Sequence, residues 1–135
     1  MSDTIAFEVR LTEPYEQAVE KVTAALKEEG FGILTRIDVD KTLKEKIDVD
    51  FRPYVILGAC NPALAHRALT ADAAVGIMLP CNVTVELNPD GDGCIARIGN
   101  PDMMLGAGRF DQNPALREVA AEARVRLERV AAALG

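Results

Sequence analysis

The chain has 135 residues, of which 49% are apolar and 27% are charged. This length and balance are typical of a single folded domain, here residues 1–135, and they exclude a disordered chain. Fifteen Lys and Arg residues against 21 Asp and Glu residues give a net charge of −6, which argues against nucleic acid or an anionic membrane surface as the partner.

The sequence predicts a cytoplasmic location. No apolar run approaches the roughly 20 residues of a membrane span. Residues 1–4 contain neither the basic stretch nor the apolar stretch with which a secretory signal begins. Three cysteines, an odd number, make a poor disulfide framework and fit a reducing compartment.

The first part of the chain alternates between strand and helix patterns. Apolar and polar residues alternate over residues 4–11, which predicts a strand. Thr12 is expected to cap a helix that has an apolar face from Tyr15 to Leu26 and ends at Gly30.

A second alternating stretch, residues 31–39, predicts another strand. It is followed by a predicted short helix over residues 41–47, with Asp40 as its cap. The apolar face of this helix consists only of Leu43 and Ile47, so we expect it to be the least stable element.

The middle of the chain contains two apolar runs. Residues 53–57 indicate a strand buried on both faces, and Asn61 and Pro62 then provide the cap and the first position of a helix. Residues 75–79 predict a further apolar strand, which ends at Pro80.

The last part of the chain predicts a hairpin and a long helix. Residues 83–87 and 95–98 indicate antiparallel strands on either side of a turn rich in Asn, Pro, Asp and Gly. Residues 99–112 lack any period and indicate a loop, whereas residues 114–134 keep helical spacing throughout. The predicted order is β-α-β-α-β-α-β-β-β-α, an α+β domain with helices packed on a mixed sheet.

Cys60 and Cys81 are the strongest candidates for chemistry. Each follows a predicted strand, precedes an asparagine and has a proline within two positions. Cys60 also precedes a predicted helix N-terminus, whose dipole stabilises a thiolate and favours reactivity there. If the two strands are neighbours, both sulfur atoms reach one pocket at the strand ends. The candidate binding residues of this pocket are Cys60, Asn61, Pro62, Pro80, Cys81 and Asn82.

A simpler alternative stays open, because a free cysteine is often only a small buried apolar residue. Metal-ligand spacing such as CxxC is absent, so the sequence predicts no metal site. A closed zinc site would need Cys60, Cys81, Cys94 and His66 together. His66, the only histidine, is expected to be a surface residue of a helix rather than a base beside Cys60.

Met103, Met104, Leu105 and Phe110 form an apolar cluster in the last predicted loop. We expect this cluster to pack as a satellite of the core, to cover a pocket or to bury against a second subunit. Together with the high apolar content, the cluster predicts a homodimer.

Residues 58–62 (Gly-Ala-Cys-Asn-Pro) and residues 76–83 (Gly-Ile-Met-Leu-Pro-Cys-Asn-Val) twice bring a cysteine, an asparagine and a proline together. With similar segments at residues 43–46, 51–54, 68–69 and 100–104, they resemble the DUF302 domain family over nearly the whole chain. The resemblance implies a small α+β domain, commonly a homodimer, and it implies no activity.

Two functions follow from these patterns. In the first, the protein is a ligand-binding or thiol-redox module that takes a small molecule into a pocket around Cys60 and Cys81. In the second, it is a structural or interaction homodimer whose Cys-Asn motifs serve packing and helix capping.

Overall fold

A computed structural model describes residues 4–135 of the chain. Residues 1–3, on which part of the secretory-signal expectation rests, lie outside them. The strands are β1 (Ala6–Leu11), β2 (Gly32–Asp38), β3 (Tyr54–Cys60), β4 (Cys81–Leu87) and β5 (Cys94–Gly99). The helices are α1 (Tyr15–Glu28), α2 (Val39–Ile47), α3 (Pro62–Ala71), α4 (Pro101–Leu105) and α5 (Pro114–Leu134). Short 3-10 helices lie at Ala73–Met78 and Gly108–Gln112.

The strands form one sheet in the order β1-β5-β4-β3-β2, and every neighbouring pair is antiparallel. The predicted α+β class is therefore confirmed, but the sheet is not mixed. Residues 39–53 return the chain to the end of the sheet at which β2 stops, as the pairing of Asp38 with Val55 shows, so β3 runs opposite to β2. The predicted hairpin is also confirmed, since β4 and β5 pair directly.

The predicted strand over residues 75–79 is wrong. Most of this segment belongs to the 3-10 helix Ala73–Met78, whose first turn begins where the carboxylate of Asp72 accepts a hydrogen bond from the N–H of Ala74. Val75 is buried, whereas Ile77 is 85% exposed, which is not the burial of a central strand. A short run of apolar residues has no period that separates a strand from a helical turn.

Two predicted helix caps also differ from the structure. Thr12 does not cap α1, which begins after Pro14 without a side-chain cap bond. Asp40 lies inside α2, and its Oδ1 atom accepts a hydrogen bond from the backbone N–H of Tyr54 instead. The carboxylate therefore ties α2 to the start of β3 rather than to its own helix end.

Residues 99–112, predicted to be a loop, contain α4 and a 3-10 helix. Asn100 is fully buried and caps α4, because its Oδ1 atom accepts a hydrogen bond from the N–H of Asp102. Its Nδ2 atom donates to the carbonyl of Thr4. The loop prediction failed because the helix is too short to show a period.

Helix α5 connects the helical layer to the sheet. It contacts α1, α3 and α4 and also reaches β1. Its buried positions recur at helical spacing, as predicted, and are Leu116, Val119, Ala120, Ala123, Leu127, Val130 and Leu134. Burying this stripe against the neighbouring helices and β1 stabilises the fold by about 1.5–3 kcal/mol for each large aliphatic side chain. Among residues 4–135, no helix is both long and apolar enough to cross a membrane.

Candidate functional site

Cys60 and Cys81 meet because their strands are antiparallel. Cys60 is the last residue of β3 and Cys81 is the first residue of β4. In the register of this pair, Ala59 lies opposite Cys81. The last residue of one strand and the first residue of its antiparallel neighbour lie at the same end of the sheet. The expected proximity is therefore found, although the reason is not the one that the sequence suggested, in which both cysteines followed strands.

Both cysteines line one cavity of about 40 Å³. The cavity lies between this end of β3 and β4 and the helices α3, α4 and α5. The wall is apolar except for the two thiols and the amide of Asn61. Part of the wall consists of alanines, whose side chains end at the Cβ atom, namely Ala59, Ala65, Ala68 and Ala123. The volume is far below the roughly 300–1,000 Å³ of a typical small-molecule pocket. The cavity therefore fits an ion or a ligand of very few atoms.

The structure brings together four of the six candidate binding residues. Cys60, Asn61, Pro80 and Cys81 line the cavity, whereas Pro62 and Asn82 do not. Pro62 is exposed at the first position of α3, and Asn82 is exposed at the position of β4 that pairs with Gly58.

Asn61 has the predicted role of helix cap. Its Oδ1 atom accepts a hydrogen bond of 3.1 Å from the N–H of Leu64. Its Nδ2 atom lies close to Gly30, where an added Cβ atom would approach it to 2.8 Å. Gly30 has a φ of +85°, a left-handed conformation that glycine adopts without steric cost. The glycine that ends the first helical segment thus also leaves room for Asn61.

The three cysteines differ in their surroundings. Burial, followed by electrostatic repulsion from Cys60, raises the pKa of Cys81 to about 11. Burial, followed by the carboxylate of Glu13, also raises the pKa of Cys94. The Cys94 sulfur lies 3.6 Å from the carbonyl oxygen of Glu13, outside the cavity. Cys81 and Cys94 are therefore thiols, not thiolates, near neutral pH.

The alternative zinc set is not assembled. Within residues 4–135, no group of three or more His, Cys, Asp or Glu side chains is arranged to hold a metal ion. His66 is exposed, as expected for a surface helix residue, and it does not line the cavity of Cys60.

The apolar cluster of residues 103–110 divides between surface and interior. Met104 and Leu105 line the cavity, which agrees with the expectation that the cluster covers a pocket. Met103 is 41% exposed, and Phe110 packs partly buried against the core. Met104 is the one sulfur-bearing residue of the cavity wall that the candidate set omitted. Its only signal in the sequence was its place in the cluster, and α4 decides which of the two methionines points inward.

The fold and the site together define a small α+β domain with two cysteines in one cavity, which lies at the end of two central strands of its sheet. The chain belongs to the DUF302 family, because the model of that family, described as a domain of unknown function, matches residues 7–134. It is also similar to the crystal structure of the uncharacterized conserved protein DUF302 from Bacillus stearothermophilus. That similarity has 32% sequence identity and a TM-score of 0.85, and it covers 98% of this chain and 99% of the other. No match is found among curated proteins.

Proposed function

We propose that the protein is a thiol-dependent binding module in which Cys60 and Cys81 act together on one small ligand. The observation that carries the proposal is that both cysteines line the same cavity of about 40 Å³. The cavity has no charged side chain in its wall, so the two sulfur atoms are the groups best suited to recognise a ligand chemically.

The size of the cavity narrows the ligand class. A sugar, a nucleotide or an amino acid needs a pocket about the size of the molecule itself, and this space is much smaller. A soft ion or a thiol-reactive species of a few atoms fits, and two neighbouring thiols hold it by two bonds at once. The second bond forms within the protein at a high effective concentration, which increases the affinity over that of a single cysteine.

The same two residues also support a thiol-redox version of this function. Exchange with a small disulfide would convert the two thiols into a Cys60–Cys81 disulfide and release the small disulfide as two thiols. The structure describes all three cysteines as free. Free cysteines suit a reducing compartment, which supports a cytoplasmic location as part of the proposal.

Arsenite tests the proposal, because it condenses with two thiols that lie close together and releases two water molecules. We expect the wild type and the Cys94→Ser variant to bind one arsenite each, measured as an adduct by native mass spectrometry. The Cys60→Ser and Cys81→Ser variants should form no stable adduct. Equal binding by all four proteins, or binding by none, contradicts a shared dithiol site.

A second candidate function is a homodimer that acts through its surface. Five exposed large apolar residues lie within one segment that spans β2, α2 and the loop after it: Leu34, Ile37, Ile47, Val49 and Phe51. Exposed apolar side chains concentrated in this way favour association. This segment replaces the 103–110 cluster as the main support for a dimer, since Met104 and Leu105 point inward.

Light scattering tests the dimer. We expect a dimer mass at micromolar concentration for the wild type and a monomer mass for the double variant Leu34→Gln, Ile47→Gln. Ile77→Gln is the matched control, because Ile77 is highly exposed but lies outside the segment. A wild type that is monomeric at this concentration contradicts the dimer.

A further inference from the structure

A third sulfur-bearing residue lines the cavity of Cys60 and Cys81. It is Met104 of α4, the helix that follows β5. The Cε atom of Met104 lies over the end of β5, where a Cβ atom added to Gly99 would be 3.5 Å from it. Three sulfur-bearing residues, from the separate elements β3, β4 and α4, thus line one small space.

These three groups are soft ligands, and the one oxygen-bearing side chain beside them is Asn61, whose Oδ1 atom accepts the hydrogen bond from the N–H of Leu64. Neither a carboxylate nor an imidazole lines the cavity. Magnesium and calcium ions require several oxygen ligands, and a closed zinc site takes four ligands, mostly Cys and His. Thiolate and thioether sulfur atoms favour copper(I), zinc and iron–sulfur clusters, and of these copper(I) is the one that needs no fourth ligand and fits a space of this size.

We infer that this cavity is a copper(I) site whose ligands are the sulfur atoms of Cys60, Cys81 and Met104. The inference rests on the proposed function, because it names the ligand of the same two thiols. Each thiol releases its proton to solvent as its sulfur atom bonds to the ion, and the thioether binds without losing a proton. The copper ion stays monovalent, so no oxidant or reductant takes part.

The surroundings suit such an ion. The cavity of about 40 Å³ admits one ion bonded directly to sulfur but not an ion with a full shell of water. Two thiolates and one monovalent ion leave a single negative charge, which lies next to the N-terminus of α3, since Cys60 directly precedes its cap Asn61. A helix N-terminus stabilises negative charge. The apolar wall keeps water from competing for the ion.

Competition with bicinchoninate under anaerobic conditions tests the site, because this chelator reports bound copper(I) by its colour. We expect the wild type to withdraw one equivalent of copper(I), and the Met104→Leu variant to bind it about tenfold or more weakly, since even indirect metal contacts cost that much when lost. Leucine keeps the volume of methionine, so this variant should fold normally. The matched controls, Met103→Leu and Cys94→Ser, should bind as tightly as the wild type.

X-ray absorption at the copper edge provides a second readout and should show only sulfur neighbours. Equal copper affinity of Met104→Leu and the wild type, or nitrogen and oxygen neighbours in the spectrum, overturns the three-sulfur site. Arsenite separates this failure from a failure of the proposed function, because arsenite needs only the two thiols. Arsenite binding without copper(I) binding overturns the copper site alone, and the absence of both overturns the dithiol site as well.

Discussion

Pro80 lies against Gly58 so closely that a Cβ atom on Gly58 would be 2.8 Å from the Cγ atom of Pro80. The same Cβ atom would be 2.2 Å from the Oγ1 atom of Thr35 in the neighbouring strand. The residue before the Ala-Cys pair of β3 is therefore a glycine for reasons of space. The absence of a side chain on Gly58 leaves room for the ring of Pro80, the residue directly before Cys81.

We predict that Gly58→Ala destabilises the protein by about 1–3 kcal/mol, the usual cost of overpacking. The added methyl group overlaps a backbone-anchored ring and a side chain of a paired strand, so neither can move away cheaply. Urea denaturation measures the change in the free energy of unfolding. The matched control is Gly32→Ala, where the added Cβ atom would meet nothing within 4 Å. Equal stability of the two variants would show that Pro80 and Thr35 shift freely.

Cys60 should be the most reactive thiol of the folded protein. It is half-buried, whereas Cys94 is 1% exposed and Cys81 has its pKa raised to about 11 by burial and by the charge of Cys60. Only the thiolate attacks, so iodoacetamide at pH 8 should label Cys60 first, and labelling of Cys81 should increase steeply as the pH approaches 11. Mass spectrometry of the Cys60→Ser, Cys81→Ser and Cys94→Ser variants assigns the rates. If Cys60 is labelled no faster than Cys94, the cysteines serve packing alone.

Glu86 should make the stability of the protein sensitive to acid. It is 3% exposed, with its carboxylate bound to Arg52, 2.6 Å away, and to Arg97. Burial raises the pKa of Glu86, but the hydrogen bonds from Arg97 and Arg52 outweigh burial and leave the pKa below its ordinary value. A carboxyl group with a lowered pKa stabilises the fold above its unfolded-state pKa and loses that contribution as the pH falls through its folded-state pKa.

We therefore expect Glu86→Gln to lower the free energy of unfolding at pH 7 by about 1–3 kcal/mol, the cost of losing a hydrogen bond to a charged group. The difference from the wild type should shrink below pH 4. Glu8→Gln is the matched control, since Glu8 pairs with the same Arg97 but is largely exposed, and it should cost less than about 1 kcal/mol. A difference for Glu86→Gln that stays constant from pH 7 to pH 3 contradicts the assignment.

Helix α2 should be the first element to open. None of its residues is buried, whereas Val55 and Leu57 of the adjacent strand β3 are fully buried. Segments with few buried contacts exchange their amide hydrogens by local opening at low free energy. Hydrogen exchange measured by NMR should therefore be faster in α2 than in β3. Equal protection would mean that the contact of Asp40 with β3 anchors the helix.

The sequence predicted those elements whose patterns are long. The stripe of α5 and the alternation of β1 and β4 extend far enough to show a period, and Asn61 with Pro62 identifies a helix start through local chemistry. Residues 75–79 failed because an apolar run of that length fits a strand and a 3-10 turn equally well. Strand direction was also beyond local patterns, since it depends on how residues 39–53 return to the sheet.

The sequence identified the part of the site that local context marks and missed the part that depends on packing. Cys60 and Cys81 stood out by their repeated context, and their strands do lie side by side. Met104 lies 23 positions after Cys81, and only the packing of α4 on α5 brings it to the cavity. Asn82 has the same sequence context as Asn61, but it lies inside a strand and not at a helix start, so its side chain has a different environment.

The alanines in the cavity wall leave space for the proposed ligand, and the same space is apolar contact that the core lacks. The space beside Cys60 and Cys81 exists because Ala65, Ala68 and Ala123 stop at one carbon. A valine at one of these positions would gain buried apolar contact of about 0.8 kcal/mol per methylene wherever it fits, and it would close the space that a ligand needs. Selection for a tighter core alone would fill this cavity within a few substitutions. If the proposed ligand occupies this space, related chains with small residues at these three positions should keep the site, and chains with larger residues there should keep only the fold.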